Sequence, residues 1–179
     1  MTPLVGFSPD LDPMTPGVLT DCTMVVPYES GLKGAPAAVS PGVTALAAAC
    51  IGSAVTTDLS DARRFLAGTA TKLYEWDGAT WNDRSRGGNY SAGTDDRWCF
   101  VPYGNSTLAA TPTAKIQRST GSGVSFADIA TAPQAKVVEN VLGFAIAFNT
   151  STSSDQWACS ALNDETDWTP SIATQATTG

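Results

Sequence analysis

The feature that most constrains this chain is an internal repeat of about 42 residues. Three segments end in an aromatic residue followed by a polar turn, with the aromatic residue at Trp81, Phe126 and Trp168. These positions are 45 and 42 residues apart. Recurrence at a fixed spacing is the signature of a repeat architecture, in which each unit is one supersecondary element. The spacing therefore predicts a series of similar units.

Each repeat contains four candidate strands separated by turn residues such as Asp77-Gly78, a good hairpin signal. The first strands are predicted at Thr44–Ile51, Trp98–Tyr103 and Ala135–Val141, and the second at Arg64–Gly68, Thr107–Thr111 and Gly143–Phe148. The third are predicted at Lys72–Trp76, Lys115–Arg118 and Gln156–Ser160, and the fourth at the aromatic segments Ala79–Asp83, Val124–Asp128 and Thr166–Pro170.

Composition and repeat length together predict an all-β fold. Ala, Thr, Gly and Ser supply 81 of the 179 residues, which favours short strands and turns over long helices. Four strands in about 42 residues match a β-propeller blade, with blades at about 43–86, 97–130 and 135–171 and the late aromatic residues packed between neighbours. The alternative is a β-sandwich of unrelated hairpins, which leaves the recurrence of the aromatic residue unexplained.

Residues 1–42 differ from the rest and form a predicted extended N-terminal arm. They hold seven of the eleven prolines, and proline lacks the backbone donor that a sheet needs. One strand is predicted within the arm, over residues 18–27. The arm is expected to pack along its own domain or along a neighbour.

Three blades do not close a ring, since propellers use about four to eight. Ser171–Thr177 has the pattern of the opening strand of a fourth blade. Two explanations are open. The chain is the N-terminal piece of a longer protein, which we favour, or another chain covers the exposed edge.

The residue types present exclude several kinds of chemistry. The chain has no histidine, which removes Ser-His-Asp and Cys-His catalysis and His-ligated metals. Its cysteines (Cys22, Cys50, Cys99 and Cys159) form no CxxC motif, and the last three lie in apolar runs typical of small buried thiols. No glycine spacing matches a dinucleotide or phosphate-binding loop. No catalytic, cofactor-binding or metal-ligating residue is therefore predicted.

Charge and hydropathy indicate the expected partners. The net charge is −7, which disfavours sequence-independent binding of nucleic acid. Eight of the ten basic residues lie between Arg63 and Arg118, where a solvated strand face is the favoured interpretation and a local anionic contact the alternative. The N-terminus lacks the pattern of a secretory signal, and the longest apolar run, Val43–Ile51, is about half of a membrane span.

Two stretches have a distinctive pattern: residues 63–83, with the sequence RRFLAGTATKLYEWDGATWND, and residues 155–170, with the sequence DQWACSALNDETDWTP. Both resemble blades in the tail proteins of short-tailed bacteriophages, of the tail hub or nozzle type. The lead-in from Leu19 to Pro36 is similar to the corresponding part of those proteins, although this chain is far shorter than they usually are.

The resemblance implies a non-enzymatic structural protein of a phage virion, assembled in the host cytoplasm. It implies a homo-oligomeric ring, hexameric or dodecameric, around the DNA exit channel. The expected partners are other tail or portal-adaptor proteins, without sequence-specific binding of nucleic acid and without a cofactor. An acidic chain suits such a channel, because a basic lining would retain the passing phosphates.

The alternative function is a glycan-binding or host-adhesin propeller. Glycoside hydrolysis needs two carboxylates about 5–10 Å apart. The candidates are Asp95-Asp96 and Asp164-Glu165, each near a tryptophan, Trp98 or Trp168, that offers a stacking surface for sugar. Asp is also a common turn residue, which is the simpler interpretation.

An adhesin would instead use exposed loops. The candidate loops are Arg86–Ser91 and Asn149–Ser154, whose Gly, Ser, Asn and Tyr residues are adaptable contact residues and equally typical of any loop. Three Asn-x-Ser/Thr sites, at Asn89, Asn105 and Asn149, carry no weight without a secretory route.

Overall fold

The computed structural model describes residues 44–179 continuously, together with residues 31–35 and short strands at 6–7, 18–19 and 25–28. The chain divides into two compact units, Met1–Gly42 and Val43–Gly179. In the first unit, β1 (Gly6–Phe7) pairs in parallel with β2 (Val18–Leu19), and β3 (Val25–Tyr28) forms a hairpin with β4 (Gly31–Gly34). The single strand predicted over residues 18–27 lies partly outside the described residues, as does most of the predicted arm.

The second unit is built from three four-stranded sheets, and the described residues contain no helix. Sheet 1 consists of β5 (Gly52–Thr57), β6 (Arg63–Gly68), β7 (Leu73–Trp76) and β8 (Trp81–Asp83). Sheet 2 consists of β9 (Cys99–Tyr103), β10 (Ser106–Thr111), β11 (Ala114–Ser119) and β12 (Ala127–Asp128). Sheet 3 consists of β13 (Ala135–Val141), β14 (Phe144–Thr150), β15 (Trp157–Cys159) and β16 (Thr177–Thr178). Within each sheet the strand order follows the chain and all neighbours are antiparallel.

The predicted all-β class and the second and third strands of every unit are confirmed. The first strand of unit 1 was placed wrongly, because residues 44–51 form no strand and sheet 1 begins at Gly52. Half of the predicted segment is alanine, whereas Val55, Thr56 and Thr57 are β-branched and suit a pleated sheet better. Asp58 then closes the connection to β6, since its carboxylate accepts the N–H groups of Ser60 and Ala62.

The end of the third unit also differs from the prediction. Thr166–Pro170 is not a strand, and the fourth strand of sheet 3 is Thr177–Thr178, which pairs with β15. Of the residues predicted to open a fourth blade, Ser171–Thr177, only Thr177 lies in a strand, and that strand completes the third sheet. Local hydrogen bonding explains the difference, because the carboxylate of Asp167 accepts the N–H of Thr169 and so stabilises a turn.

The three sheets stack in chain order around two buried apolar clusters. The cluster between sheets 1 and 2 contains Leu66, Leu73, Tyr90, Trp98, Ala109, Ala114 and Phe126. The cluster between sheets 2 and 3 includes Val101, Leu108, Ile116, Val138, Ala145, Ala147, Ala158 and Trp168. In both, branched side chains of the preceding sheet meet alanines of the following one, which lets the layers interdigitate. This series of three layers differs from the two-sheet sandwich that was the alternative.

Glycines allow sheet 1 to approach the start of sheet 2 closely. A Cβ atom on Gly68 would lie 2.2 Å from Cδ1 of Trp98, and one on Gly52 would lie 2.5 Å from the carbonyl oxygen of the same tryptophan. The indole N–H of Trp98 donates to the carbonyl of Thr69 at 2.8 Å, so the buried ring keeps its polar atom satisfied. The absence of a side chain at Gly68 therefore positions sheet 2 on sheet 1.

Candidate functional site

The outward surface of sheet 1 carries a cross-strand row of large apolar side chains. Val55 lies opposite Phe65, Phe65 opposite Trp76, and Trp76 opposite Trp81, so all four share one face of the sheet. Val55 is 56% exposed and Phe65 is 44% exposed. The two tryptophan rings lie 5.4 Å apart and are half-buried. We call this surface the leading face, and a groove of about 580 Å³ runs along it.

The outward surface of sheet 3 carries a similar row. Val137 lies opposite Phe148, and Phe148 lies opposite Trp157. Their exposed fractions are 43%, 45% and 37%, respectively. We call this surface the trailing face. Single exposed apolar residues are ordinary on protein surfaces, but a contiguous row on a sheet marks an interaction surface.

The three aromatic residues of the repeat have different environments. Phe126 is 1% exposed and lies in the cluster between sheets 1 and 2, and Trp168 is 3% exposed and lies in the cluster between sheets 2 and 3. The prediction that they pack between neighbouring sheets is confirmed for these two. Trp81 lies on the leading face and is only half-buried, and within the second unit sheet 1 is the first four-stranded sheet.

A buried ion pair joins sheets 1 and 2. Nε of Arg64 donates to Glu75 at 2.8 Å, and the guanidinium also donates to the hydroxyls of Thr107 at 3.1 Å and Ser119 at 3.0 Å. The Glu75 carboxylate also accepts the N–H of Gly123 at 2.9 Å. Burial raises the pKa of the Glu75 carboxyl, but the hydrogen bonds and the Arg64 charge outweigh it, so its pKa lies below the usual range.

Most of the basic residues between Arg63 and Arg118 are ion-paired and do not form the predicted solvated face. Besides the Arg64 pair, Lys72 pairs with Asp83 at 3.0 Å, Arg86 with Asp128 at 2.6 Å and Arg118 with Glu165 at 2.6 Å. Arg84 lies 3.7 Å from the carboxylate of Glu75. Internal pairing leaves little positive charge for an anionic ligand.

The carboxylates considered for glycoside hydrolysis are bonded within the structure. Oδ2 of Asp96 accepts the N–H of Gly93 at 2.7 Å, and Oδ1 of Asp164 accepts the N–H of Thr166 at 2.9 Å. These bonds are typical of turns, and those from Thr166 lower the pKa of the Asp164 carboxyl. Glu165 is bound by Arg118 at 2.6 Å, and Asp95 is exposed beside Asp96.

The two tryptophans near these carboxylates are buried and are not accessible to a sugar. Trp98 is 5% exposed and Trp168 is 3% exposed. The indole N–H of Trp168 donates to the carbonyl of Glu165 at 2.8 Å, which directs the ring inward. The predicted stacking surface for glycan is therefore absent at both positions.

The first candidate adhesin loop, Arg86–Ser91, is held in place at two points. The Arg86 guanidinium lies 4.9 Å from the ring centre of Tyr90, in cation–π geometry. Tyr90 is buried, and its hydroxyl bonds with Oε1 of Gln117 at 3.1 Å. Burial raises the pKa of Tyr90 to about 12. The loop is thus part of the joint between sheets 1 and 2.

The second candidate loop, residues 149–154, begins inside a strand. Asn149 has a φ of 54°, and Ser151 donates its N–H to the carbonyl of Gln134 at 3.0 Å. Of the three Asn-x-Ser/Thr sites, Asn89 and Asn105 are exposed and Asn149 is half-buried.

The cysteines follow the buried-thiol prediction only in part. Cys159 is buried, and burial raises the pKa of its thiol. Cys99 is half-buried, and Cys50 is exposed because residues 44–51 form no strand. All three are free thiols, and Cys22 lies outside the described residues.

The described residues contain no group of three or more His, Cys, Asp or Glu side chains arranged to hold a metal ion. In the same part of the chain, no helix has the length and apolar character needed to cross a bilayer.

Fold and surface together define a class: a repeat protein of stacked four-stranded antiparallel sheets with apolar rows at both ends of the stack. Comparison with protein families and with curated proteins finds no match for this chain. The leading and trailing faces are the candidate functional surfaces.

Proposed function

We propose that this chain is a non-enzymatic structural module of a bacteriophage tail, a ring-forming hub or nozzle component around the DNA exit channel. In this proposal the three sheets are blades of a β-propeller. The observation that supports it is the pair of exposed apolar rows, one on sheet 1 and one on sheet 3 of a stack of repeated sheets. A module with two such ends is suited to assembly into a closed ring.

Two further observations support a structural role. Charged side chains of the kind that catalysis requires form ion pairs within the stack of sheets, as Arg64 does with Glu75 and Arg118 with Glu165. The net charge of −7 suits a channel through which DNA must pass without being retained. The phage assignment itself derives from the resemblance of residues 63–83 and 155–170 to blades of tail proteins.

The test is to locate the protein in the particle of the phage whose genome encodes the sequence. Antibodies raised against the purified chain are applied to purified virions and viewed by immunogold electron microscopy. We expect labelling at the tail, and ring-shaped particles labelled in lysates. Labelling confined to non-virion fractions of infected cells, with virions unlabelled, would refute the proposal. A control antibody against the major capsid protein shows that virions are intact and accessible.

A further inference from the structure

We propose that one rim of the sheet stack is a docking surface for a second tail protein, which presents an apolar pocket bordered by basic side chains. The rim consists of the six connections that follow the first and third strands of the three sheets. They are residues 58–62, 77–80, 104–105, 120–126, 142–143 and 160–176, and we call them the acidic rim. The inference rests on the proposed function and deepens it, because it names the side of the module that meets a neighbouring tail component.

The two rims of the stack differ in charge. The acidic rim contains six acidic residues and no basic one: Asp58, Asp61, Asp77, Asp164, Glu165 and Asp167. The connections of the opposite rim, residues 69–72, 84–98, 112–113, 129–134 and 151–156, contain basic residues as well as acidic ones. Negative charge repels phosphate groups, so the acidic rim disfavours both DNA and an anionic bilayer. A protein with Lys or Arg around its contact surface is the complementary partner.

The exposed apolar side chains of the connections lie on the same rim. Among the described residues, all large apolar side chains that are exposed in a connection belong to the acidic rim: Leu59, Val124, Leu142, Leu162 and Ile172. Leu162 borders the same turn as Leu142, since a Cβ atom on Gly143 would lie 3.5 Å from its Cδ1. Grouped apolar side chains with a polar border are typical of a protein contact surface.

Leu142 adopts a backbone conformation that its side chain disfavours. Its φ is 51° and that of Gly143 is 86°, as in the tight hairpin turns that usually carry Asn-Gly or Gly-Gly. A leucine in the left-handed region is strained, and Leu142 is 92% exposed, so packing among the described residues does not offset the strain. A contact with another molecule gives this side chain a role that the fold does not.

Hydrogen bonds between sheets hold the hairpin tips of the acidic rim in place. The N–H of Leu59 donates to Oδ1 of Asn105 at 3.3 Å, which joins sheets 1 and 2. The hydroxyl of Tyr103 donates to the carbonyl of Gly143 at 2.6 Å, which joins sheets 2 and 3. A surface whose parts are already ordered loses less entropy when it binds a partner.

The acidic rim does not depend on what packs against the outer sheets. Sheets stack face to face, so a sheet added beside sheet 1 or sheet 3 would contact its face and leave the hairpin tips at the rim. Residues 1–42, a second copy of the chain, DNA and lipid are the other possible occupants, and the experiments distinguish them.

Thermal unfolding of the full-length chain tests whether Leu142 is packed within the molecule. Leu142→Asn removes the apolar side chain and supplies a residue that tolerates a positive φ. We expect the melting temperature to be unchanged or raised by up to about 3 °C, since strain is relieved and no packing is lost. A fall in the melting temperature would mean that another part of the chain covers this leucine, and would overturn the proposal.

Photo-cross-linking in the assembled virion identifies the occupant. A photoreactive phenylalanine analogue replaces Leu142, or replaces Thr113 in the matched control, because Thr113 is exposed in a hairpin of the opposite rim. After irradiation, mass spectrometry identifies the cross-linked peptides. We expect position 142 to cross-link to a different virion protein, at a segment that contains Lys or Arg, and position 113 not to do so. A cross-link from position 142 to residues 1–42, to a second copy, to DNA or to lipid, or no cross-link, would overturn the proposal.

Calorimetric titration of the full-length chain with the cross-linked protein tests the chemistry of the contact. Leu142→Asn is expected to raise the dissociation constant about tenfold or more, through the loss of one buried leucine. Asp61→Asn, at a φ of 61° that Asn also tolerates, is expected to raise it about two- to fivefold at low salt. Asp95→Asn, on the opposite rim, is the matched control and is expected to leave it unchanged. An affinity that Leu142→Asn does not change, or equal effects of the two Asp variants, would overturn the proposal.

Failure of this inference and failure of the proposed function give different results. Virions labelled at the tail but lacking the expected cross-link would overturn this inference and leave the proposed function standing. Unlabelled virions would overturn the proposed function, and with it the tail partner.

Discussion

Arg64 is the side chain whose removal is expected to weaken the stack most. It is buried and bonds Glu75 within its own sheet, and Thr107 and Ser119 in the next. The substitution Arg64→Met keeps most of the chain length of the side chain but removes the charge and every donor. The Glu75 carboxylate then stays buried with only the N–H of Gly123 and the more distant Arg84 to compensate it.

The size of the effect follows from burial. Removing one partner of a buried ion pair costs about 3–5 kcal/mol, whereas an exposed pair contributes about 1 kcal/mol or less. Because Arg84 stays 3.7 Å from Glu75, we expect the lower end, about 3 kcal/mol. At about 2–4 °C per kcal/mol for a chain of this size, the melting temperature should fall by about 6–12 °C.

The effect should depend on pH in a definite direction. In the folded wild-type chain the pKa of the Glu75 carboxyl is below its usual range. The ionised carboxylate therefore stabilises the fold at pH values above the pKa that Glu75 has in the unfolded chain, and this stabilisation is lost as pH falls through the pKa of the folded chain. Without Arg64, burial dominates and the pKa rises, so the carboxyl becomes a penalty that protonation relieves. The difference between wild type and variant is therefore largest near about pH 7 and smaller near about pH 4.

Urea unfolding followed by tryptophan fluorescence at both pH values measures the difference. Arg97→Met is the matched control, because Arg97 is exposed and its side chain donates only to the carbonyls of Thr94 and Asp96. The control is expected to change stability by less than about 0.5 kcal/mol. A loss for Arg64→Met below about 1 kcal/mol at about pH 7, or an equal loss at both pH values, would refute the reasoning.

Three further predictions concern packing and ionisation. Gly68→Ala places a methyl group against Trp98 and should destabilise the chain by about 1–3 kcal/mol, measured by thermal unfolding. An unchanged stability would mean that the two sheets can separate at this position. Phe126→Ala should lower the free energy of unfolding by about 3–5 kcal/mol and Trp81→Ala by distinctly less, since only the ring of Phe126 is fully buried. Equal losses in urea unfolding would contradict this. Because the pKa of Tyr90 is raised to about 12, its ionisation contributes stability below the unfolded pKa of about 10, and this stability is lost as pH rises toward about 12. Tyr90→Phe should therefore flatten the fall in stability over that pH range. An unchanged slope of stability against pH would contradict this prediction.

Local patterns in the sequence were enough to predict the middle of each sheet. The second and third strands of all three units are confirmed, because alternating side chains and turn residues such as Asp77 act over a few residues. Asp77 shows this directly, since its carboxylate accepts the N–H groups of Ala79 and Thr80 at 2.8 and 2.7 Å. The outer strands were harder to predict. Thr44–Ile51 and Thr166–Pro170 are not strands, the first because half of it is alanine and the second because Asp167 stabilises a turn.

The roles of charged residues needed the assembled sheets. Arg64 follows another arginine in a strand, and nothing within the strand distinguishes the buried side chain from the exposed one. Arg64 donates hydrogen bonds to Thr107 and Ser119 on the next sheet, and these residues are 43 and 55 positions away in the chain. The ion pair with Glu75, by contrast, had a local signal, since a basic and an acidic residue lie on adjacent strands of one predicted hairpin.

The sequence by itself determined the repeat, the all-β class and the position of one aromatic residue near the end of each unit. Only the tertiary structure decided which of those residues is buried. Phe126 and Trp81 carry the same local pattern, yet Phe126 is enclosed by the sheet before it and Trp81 is half-exposed on the leading face. The physical reason is that a strand and its turns form through neighbours in the chain, whereas burial requires a second layer that the sequence supplies from many residues away.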